Sequence, residues 1–255
     1  MQRYLKCVIE KVLFLHHEQK MDFMNKKWIL FILILMPICT LIAMKAGREI
    51  RSLKYVALGD SYTIGEGAKQ GEAFPDLIVQ QVLQNGISVV LSANPSVTGW
   101  TTQNLIDKEL PVFDEAKPDF VTLLIGVNDW VQGVDSDTFH KNLSFILDHV
   151  QAGIPHKDAV LLITIPDFGV TPTGAKYSGG RDITLGITGF NNIIKREAQK
   201  RNLMVVDIFP QSQLMKDNSD LIAKDGLHPS AKEYALWGQI IYPSAYKILK
   251  AYTRL

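Results

Sequence analysis

Five apolar runs recur along the chain: KYVALG (54–59), ISVVLSA (87–93), DFVTLLIG (119–126), DAVLLITIP (158–166) and LMVVDI (203–208). Segments with helical spacing or capping residues separate them. FPDLIVQQVLQNG (74–86) ends in a Gly stop, and TTQNLIDKEL (101–110) is amphipathic and ended by Pro111. DSDTFHKNLSFILDHVQAG (135–153) opens on capping residues, a long helix is expected over 183–201, and residues 230–252 read as a helix interrupted near Pro243. Strand and helix alternating five times leave few architectures open. Runs with little polar alternation are those of strands covered on both faces, so the pattern predicts an α/β fold with a parallel sheet and helices on both sides. In such sheets chemistry collects in the loops at the carboxyl ends of the strands.

Composition sharpens this by being uneven. The 255 residues are 47% hydrophobic and 21% charged, enough to bury a core, and the formal net charge is +1. Seven of the 27 Lys+Arg and three of the 26 Asp+Glu fall in residues 1–45, leaving 20 basic and 23 acidic residues in the rest. Both cysteines, Cys7 and Cys39, also lie in those first 45 residues. The chain thus divides into a basic, apolar leader (1–45) and a slightly acidic, cysteine-free domain (46–255). The charge balance gives no pull toward nucleic acid, and two Cys make neither a disulfide scaffold nor a four-thiolate zinc site.

In the leader, WILFILILMPICTLIAM (28–44) carries no charge over 17 residues and follows Lys26 and Lys27. It reads as a signal peptide or a single membrane anchor. Positive charge is heavier before the run than after it, which places the N-terminus inside and the domain outside, exported or held at the membrane. Cys39 has Ile38 before it, where a lipidated Cys needs a small residue. Met21 and Met24 are alternative starts to Met1.

Three strand-end loops hold polar residues that can act together. Gly59-Asp60-Ser61-Tyr62 presents a Ser after a Gly-bearing turn, a nucleophile position or a helix N-cap. Gly126-Val127-Asn128-Asp129-Trp130 presents an amide that is either an oxyanion donor or part of an Asx-turn. Asp225-Gly226-Leu227-His228-Pro229-Ser230 places an Asp three residues before a His, an orienting pair for a general base or a polar loop with its cap. Asp60 and Asp129 beside them read as loop braces, and His140, His149 and His156 as surface or packing residues. No G-x-G-x-x-G or P-loop follows the first strand, so nucleotide binding is not expected.

The order Ser…Asn…Asp-x-x-His resembles the SGNH hydrolases, the GDSL esterase/lipase family. GDSYTIGEG (59–67), NPSVTGWTT (94–102), GVND (126–129) and DGLHPS (225–230) match its four blocks in order, over most of residues 54–245. Tyr62 stands where the family name has Leu, and Pro95 and Trp100 flank the Gly of the second block. The resemblance implies a flavodoxin-like three-layer α/β/α sandwich with a five-stranded sheet, and a serine esterase without metal or organic cofactor. It implies Ser61, Asp225 and His228 as the triad. The backbone N–H groups of Ser61 and Gly99 and the amide of Asn128 would form the oxyanion hole. Tyr62, Trp100, Trp130 and Phe168 are candidate pocket residues, and 167–180 is a candidate substrate-facing loop. The expected substrate is a glycan or small-molecule acetyl ester, as for an O-deacetylase, or an acyl lipid or thioester. The alternative is a non-catalytic module on the same scaffold.

Overall fold

The central strands are buried end to end. In the computed structural model, which describes residues 51–253, β1 (Leu53–Gly59) loses solvent contact from Tyr55 onward, and β3 (Phe120–Leu124) and β4 (Val160–Ile163) are buried at every residue. With β2 (Val89–Ala93) and β5 (Met204–Val206) they form one sheet in the order β2-β1-β3-β4-β5, every neighbouring pair parallel. The α/β class and the five-stranded parallel sheet expected from the sequence are both present. Full coverage holds only for the centre: β2 alternates buried and open residues, with Val90 exposed, because it is an edge.

The helices are α1 (Ser61–Ile64), α2 (Phe74–Gln84), α3 (Thr102–Asn104), α4 (Leu110–Ala116) and α5 (Val127–Val131). Then follow α6 (Ser136–Gly153), α7 (Ile183–Arg201), α8 (Phe209–Gln213) and α9 (Ala231–Tyr252). The chain runs leftward from β1 to β2 and rightward thereafter. Right-handed crossovers then put α2 on one face and α4, α6 and α7 on the other, and α9 returns to pack along α2. Trp237 and Tyr234 of α9 and Phe74 of α2 are fully buried on one side, and Phe113 of α4 and Phe139 of α6 on the other. The apolar run at 28–44 and the alternative starts lie outside the described residues, among which no helix is long and apolar enough to cross a membrane.

Two helix boundaries differ from the sequence reading. Pro111 does not end the helix begun at Thr102. The chain widens into a π turn over Leu105–Glu109, with the Leu110 N–H donating to the Leu105 carbonyl, and Pro111 then sits in the first turn of α4. First-turn N–H groups have no intrahelical acceptor, so a proline is tolerated there. Pro243 likewise does not interrupt α9, which runs unbroken through it. The carbonyl it leaves unpaired, four residues earlier at Gln239, is on the exposed side and is open to water.

The chain direction reverses between β1 and β3, which makes their carboxyl ends the crevice of the sheet. Gly59 pairs with Leu124, so the loops that follow start level with each other. The turn after β3 depends on Gly126. Its φ is +122°, and a Cβ there would come within 2.5 Å of the Phe139 ring. Gly126→Ala is expected to cost about 3 kcal/mol from positive-φ strain and overpacking together, read as a lower urea midpoint with an unchanged m-value.

Candidate active site

Ser61 is the first residue of α1. Asp60 precedes it as the N-cap, its Oδ1 accepting the Tyr62 N–H at 3.1 Å, and the turn closes at Gly65 with φ +89°. This short helix is what lifts Ser61 off the strand end. Gly59 leaves no room for a side chain: a Cβ would lie 2.3 Å from the Leu124 carbonyl oxygen.

Asn128 is the second residue of α5, behind Gly126. Its Nδ2 donates to the Trp100 carbonyl at 2.9 Å, which fixes the amide plane and leaves its second N–H for a ligand. Gln132 Nε2 donates to the Gly99 carbonyl at 3.2 Å, tying the same two loops together. Gly99 has φ +86°, a conformation that favours glycine, and nothing stands within 4 Å of where a Cβ would be. The Ser61 and Gly99 N–H groups have no acceptor among the described residues. Asp129 is buried and points backward, accepting the Thr102 N–H at 2.9 Å and the Thr102 hydroxyl. It braces the Gly99 loop against α5, as the sequence reading expected.

Asp225 and His228 meet within their own loop. His228 Nδ1 lies 2.6 Å from Asp225 Oδ2, while Asp225 Oδ1 accepts the N–H groups of Leu227 and His228 at 2.8 and 3.0 Å. Partial burial raises the Asp225 pKa, but these bonds and the His228 ring outweigh it and hold the carboxyl below its ordinary value. The imidazole is bonded through Nδ1, Nε2 has no hydrogen-bond partner among the described residues, and His228 lines the cavity described next. The 167–180 stretch supports this loop. The Thr173 hydroxyl donates to the Asp225 carbonyl at 3.0 Å and the Thr173 N–H to the Gly226 carbonyl at 2.9 Å.

Ser61, Gly99, Asn128 and His228 line one cavity of about 160 Å³. Val127, Val131, Phe168, Tyr177 and Leu227 make its apolar walls, and Tyr62 and Thr98 complete it. Of the four aromatics expected there, Tyr62 and Phe168 line the cavity and two are corrected. Trp130 is buried behind the wall: Phe168 packs edge-on against it at 5.8 Å and the Arg181 guanidinium lies 4.0 Å over its ring. Trp100 is not among the residues that line the cavity, and its carbonyl accepts the Asn128 amide N–H. Val127, Val131, Tyr177, Leu227 and Thr98 were not singled out from the sequence. Val127 and Leu227 could have been, since each adjoins a motif residue. Tyr177 is brought in by a 3-10 turn (Gly174–Tyr177) that carries no strong sequence signal.

A family model described as GDSL-like lipase/acylhydrolase matches residues 57–236. The chain belongs to this family. The GDSL-family chain is 26% identical over 179 residues to an arylesterase of Vibrio mimicus, covering 70% of this chain and 80% of that protein. It is 31% identical over 125 residues to a multidomain esterase of Ruminococcus flavefaciens, covering 48% of this chain but only 15% of that much longer protein. A family 3 carbohydrate esterase of Clostridium thermocellum shares the fold with a TM-score of 0.60 at 19% identity, covering 79% of this chain and 98% of that one. This GDSL-family protein is therefore an ester hydrolase, and the non-catalytic alternative is set aside.

The corrected places of the two tryptophans have separable consequences. Trp130→Ala is expected to cost about 3–5 kcal/mol, as a large buried aromatic. Trp100→Ala, which removes a partly buried ring and keeps the carbonyl, should cost less. Paired denaturation curves check this; equal losses would place both rings in the core.

Proposed function

We propose that this GDSL-family esterase hydrolyses esters of short acyl chains by nucleophilic attack from Ser61. The observation that supports this reading best is the convergence of Ser61, Gly99, Asn128 and His228 on one small cavity, with Asp225 bonded to the far nitrogen of the imidazole. His228 Nε2 removes the hydroxyl proton as Ser61 Oγ forms a bond to the ester carbonyl carbon. The carbonyl oxygen becomes an oxyanion held by the N–H groups of Ser61 and Gly99 and the free N–H of Asn128. Asp225 keeps the imidazole in the tautomer with its proton on Nδ1 and stabilises the charged ring. His228 then gives its proton to the leaving alcohol as the C–O bond breaks. Water, activated by the same nitrogen, releases the acid and restores Ser61.

The size of the cavity supports the acyl preference. About 160 Å³ lies below the roughly 300–1,000 Å³ of sites that enclose drug-sized ligands, so an acetyl or similarly short group fits it better than a long chain. The alcohol side is different. An open groove of about 330 Å³ adjoins the cavity at Thr98 and is lined by Ile64, Gly65, Glu66, Gly67, Ala68 and Val97. Gly67 stands against the general base, since a Cβ there would come within 3.2 Å of His228 Cβ. The alcohol that takes the proton from His228 leaves along this groove. Glu66 accepts the Thr98 hydroxyl through Oε2 at 2.7 Å and keeps Oε1 for a further donor. A hydroxyl-bearing alcohol suits it, which favours an acetylated sugar over an acyl lipid.

Ser61→Ala and His228→Ala are expected to lower p-nitrophenyl acetate hydrolysis by on the order of 10⁴-fold or more with the far-UV circular dichroism unchanged. Asn128→Ala should lose about 10²–10³-fold in kcat. Wild-type rates in either of the first two would overturn the assignment. A chain-length series of nitrophenyl esters tests the substrate reading: activity should fall from acetate to octanoate, and a rise toward the longer chain would point to lipid instead.

A further inference from the structure

Two carboxyl groups lie beneath the nucleophile turn and take no part in the mechanism above. Asp60 and Glu109 are both fully buried. Each spends one oxygen on the turn: Glu109 Oε2 accepts the Gly59 N–H at 3.0 Å and Asp60 Oδ1 accepts the Tyr62 N–H at 3.1 Å. The other oxygens, Glu109 Oε1 and Asp60 Oδ2, are buried with no hydrogen-bond donor among the described residues. Such an oxygen is costly if its carboxylate is charged, and the charge of Asp60 makes charging Glu109 costlier still.

We propose that Glu109 and Asp60 share a proton across these two oxygens, and that this acid–carboxylate bond fastens the π turn to the nucleophile turn and so positions Ser61. One carboxyl donates its O–H and the other accepts, so the pair carries a single negative charge. Each oxygen then has a partner, and Gly59 and Tyr62, the residues on either side of Asp60-Ser61, are held from one point. The π turn has a purpose here, because Glu109 is its last residue and is buried. Wide turns of this kind collect at functional sites.

The surroundings agree. The groups that bear on the pair are Asp129 from α5, Tyr62 from α1 and Tyr234 from α9, and none of them is a cation. Burial raises both carboxyl groups, with Asp129 adding to Asp60 and Asp60 to Glu109, and the last proton the pair gives up is held to about 8. An unfolded chain has released that proton near pH 4, so between about pH 4 and 8 it binds one proton fewer than the folded chain. The pair's contribution to stability is therefore complete below that window and is lost as the pH rises through it.

Amide replacements test the bond, because an amide can donate where a carboxylate cannot. In Glu109→Gln the amide N–H donates to Asp60 Oδ2 and its oxygen still accepts from Gly59. In Asp60→Asn the amide donates to Glu109 Oε1 and its oxygen still accepts from Tyr62. Each single variant should melt less pH-dependently than the wild type between pH 5 and 9. The double variant sets two donors face to face, so it should melt below both single variants and lose about tenfold or more in kcat on p-nitrophenyl acetate relative to either, with KM little changed. Infrared difference spectra of wild type minus Glu109→Gln at pH 7 should show a protonated carboxyl stretch that shifts in heavy water. No such band, or a double variant at least as stable as the singles, would overturn the proposal, since relief of repulsion between two carboxylates predicts that order. The positioning role rests on Ser61 being the nucleophile. The spectral and melting measurements do not, and they decide the shared proton even if Ser61→Ala proves active.

Discussion

The parallel pairing of β1 with β3 is the constraint on which the site depends. Its register, Tyr55 with Phe120 through Gly59 with Leu124, brings two chain segments some 65 residues apart to the same level. One buried polar link crosses it, the Tyr55 hydroxyl against the Thr122 hydroxyl at 2.7 Å. Each would otherwise be an unsatisfied group in the core, so the pair marks one register out of several that apolar packing alone would tolerate. From that fixed edge Ser61 stands two residues beyond Gly59 and Asn128 four beyond Leu124. A slip of one residue would reverse the faces and separate the two groups.

Around this edge, one residue type performs opposite tasks according to its surroundings. Asp225 is partly open, accepts three bonds and is held ionised, which suits the role proposed for it of stabilising a charged imidazole. Asp60 and Glu109, sealed beneath the turn with one bond each from the backbone, are pushed toward the neutral form. Asp129 lies between these limits: burial raises it, and Thr102 answers both of its oxygens. Water access and donor count, more than residue identity, set the charge of each.

Much of this was legible in the sequence because it is local. Apolar runs marked all five strands, and Asp225-x-x-His228 is a pair whose partners sit in one loop. Ser61, Gly99 and Asn128 each sit in a short motif at or before a glycine-bearing turn. What was not legible is what depends on distant packing. Pro111 reads as a terminator because a proline removes a helical bond, and only the π turn before it makes that bond unnecessary. Glu109 reads as one more charge on an amphipathic helix; that same widening of the helix precedes its burial against Gly59. Trp130 and Trp100 look equivalent as aromatics beside motif residues. The Arg181 guanidinium and Phe168, both remote in sequence, decide that the first is core.

Tyr62, where the family name carries Leu, shows how such a departure is accommodated. Its ring is buried and meets two others edge-on, Trp237 and His228, each with centroids 5.9 Å apart. A leucine would fill part of that space but would offer the imidazole no ring. The tyrosine backs the imidazole with a rigid ring held in turn by Trp237, itself fixed by a 2.7 Å bond from its Nε1 to Glu233. Asp60 accepts the N–H of the same residue. In the proposed mechanism Tyr62 thus joins two parts of the site: its backbone belongs to the turn that carries Ser61, and its side chain packs against the His228 ring. A substitution in the signature is accommodated when the larger residue takes up contacts on both sides, and here it does.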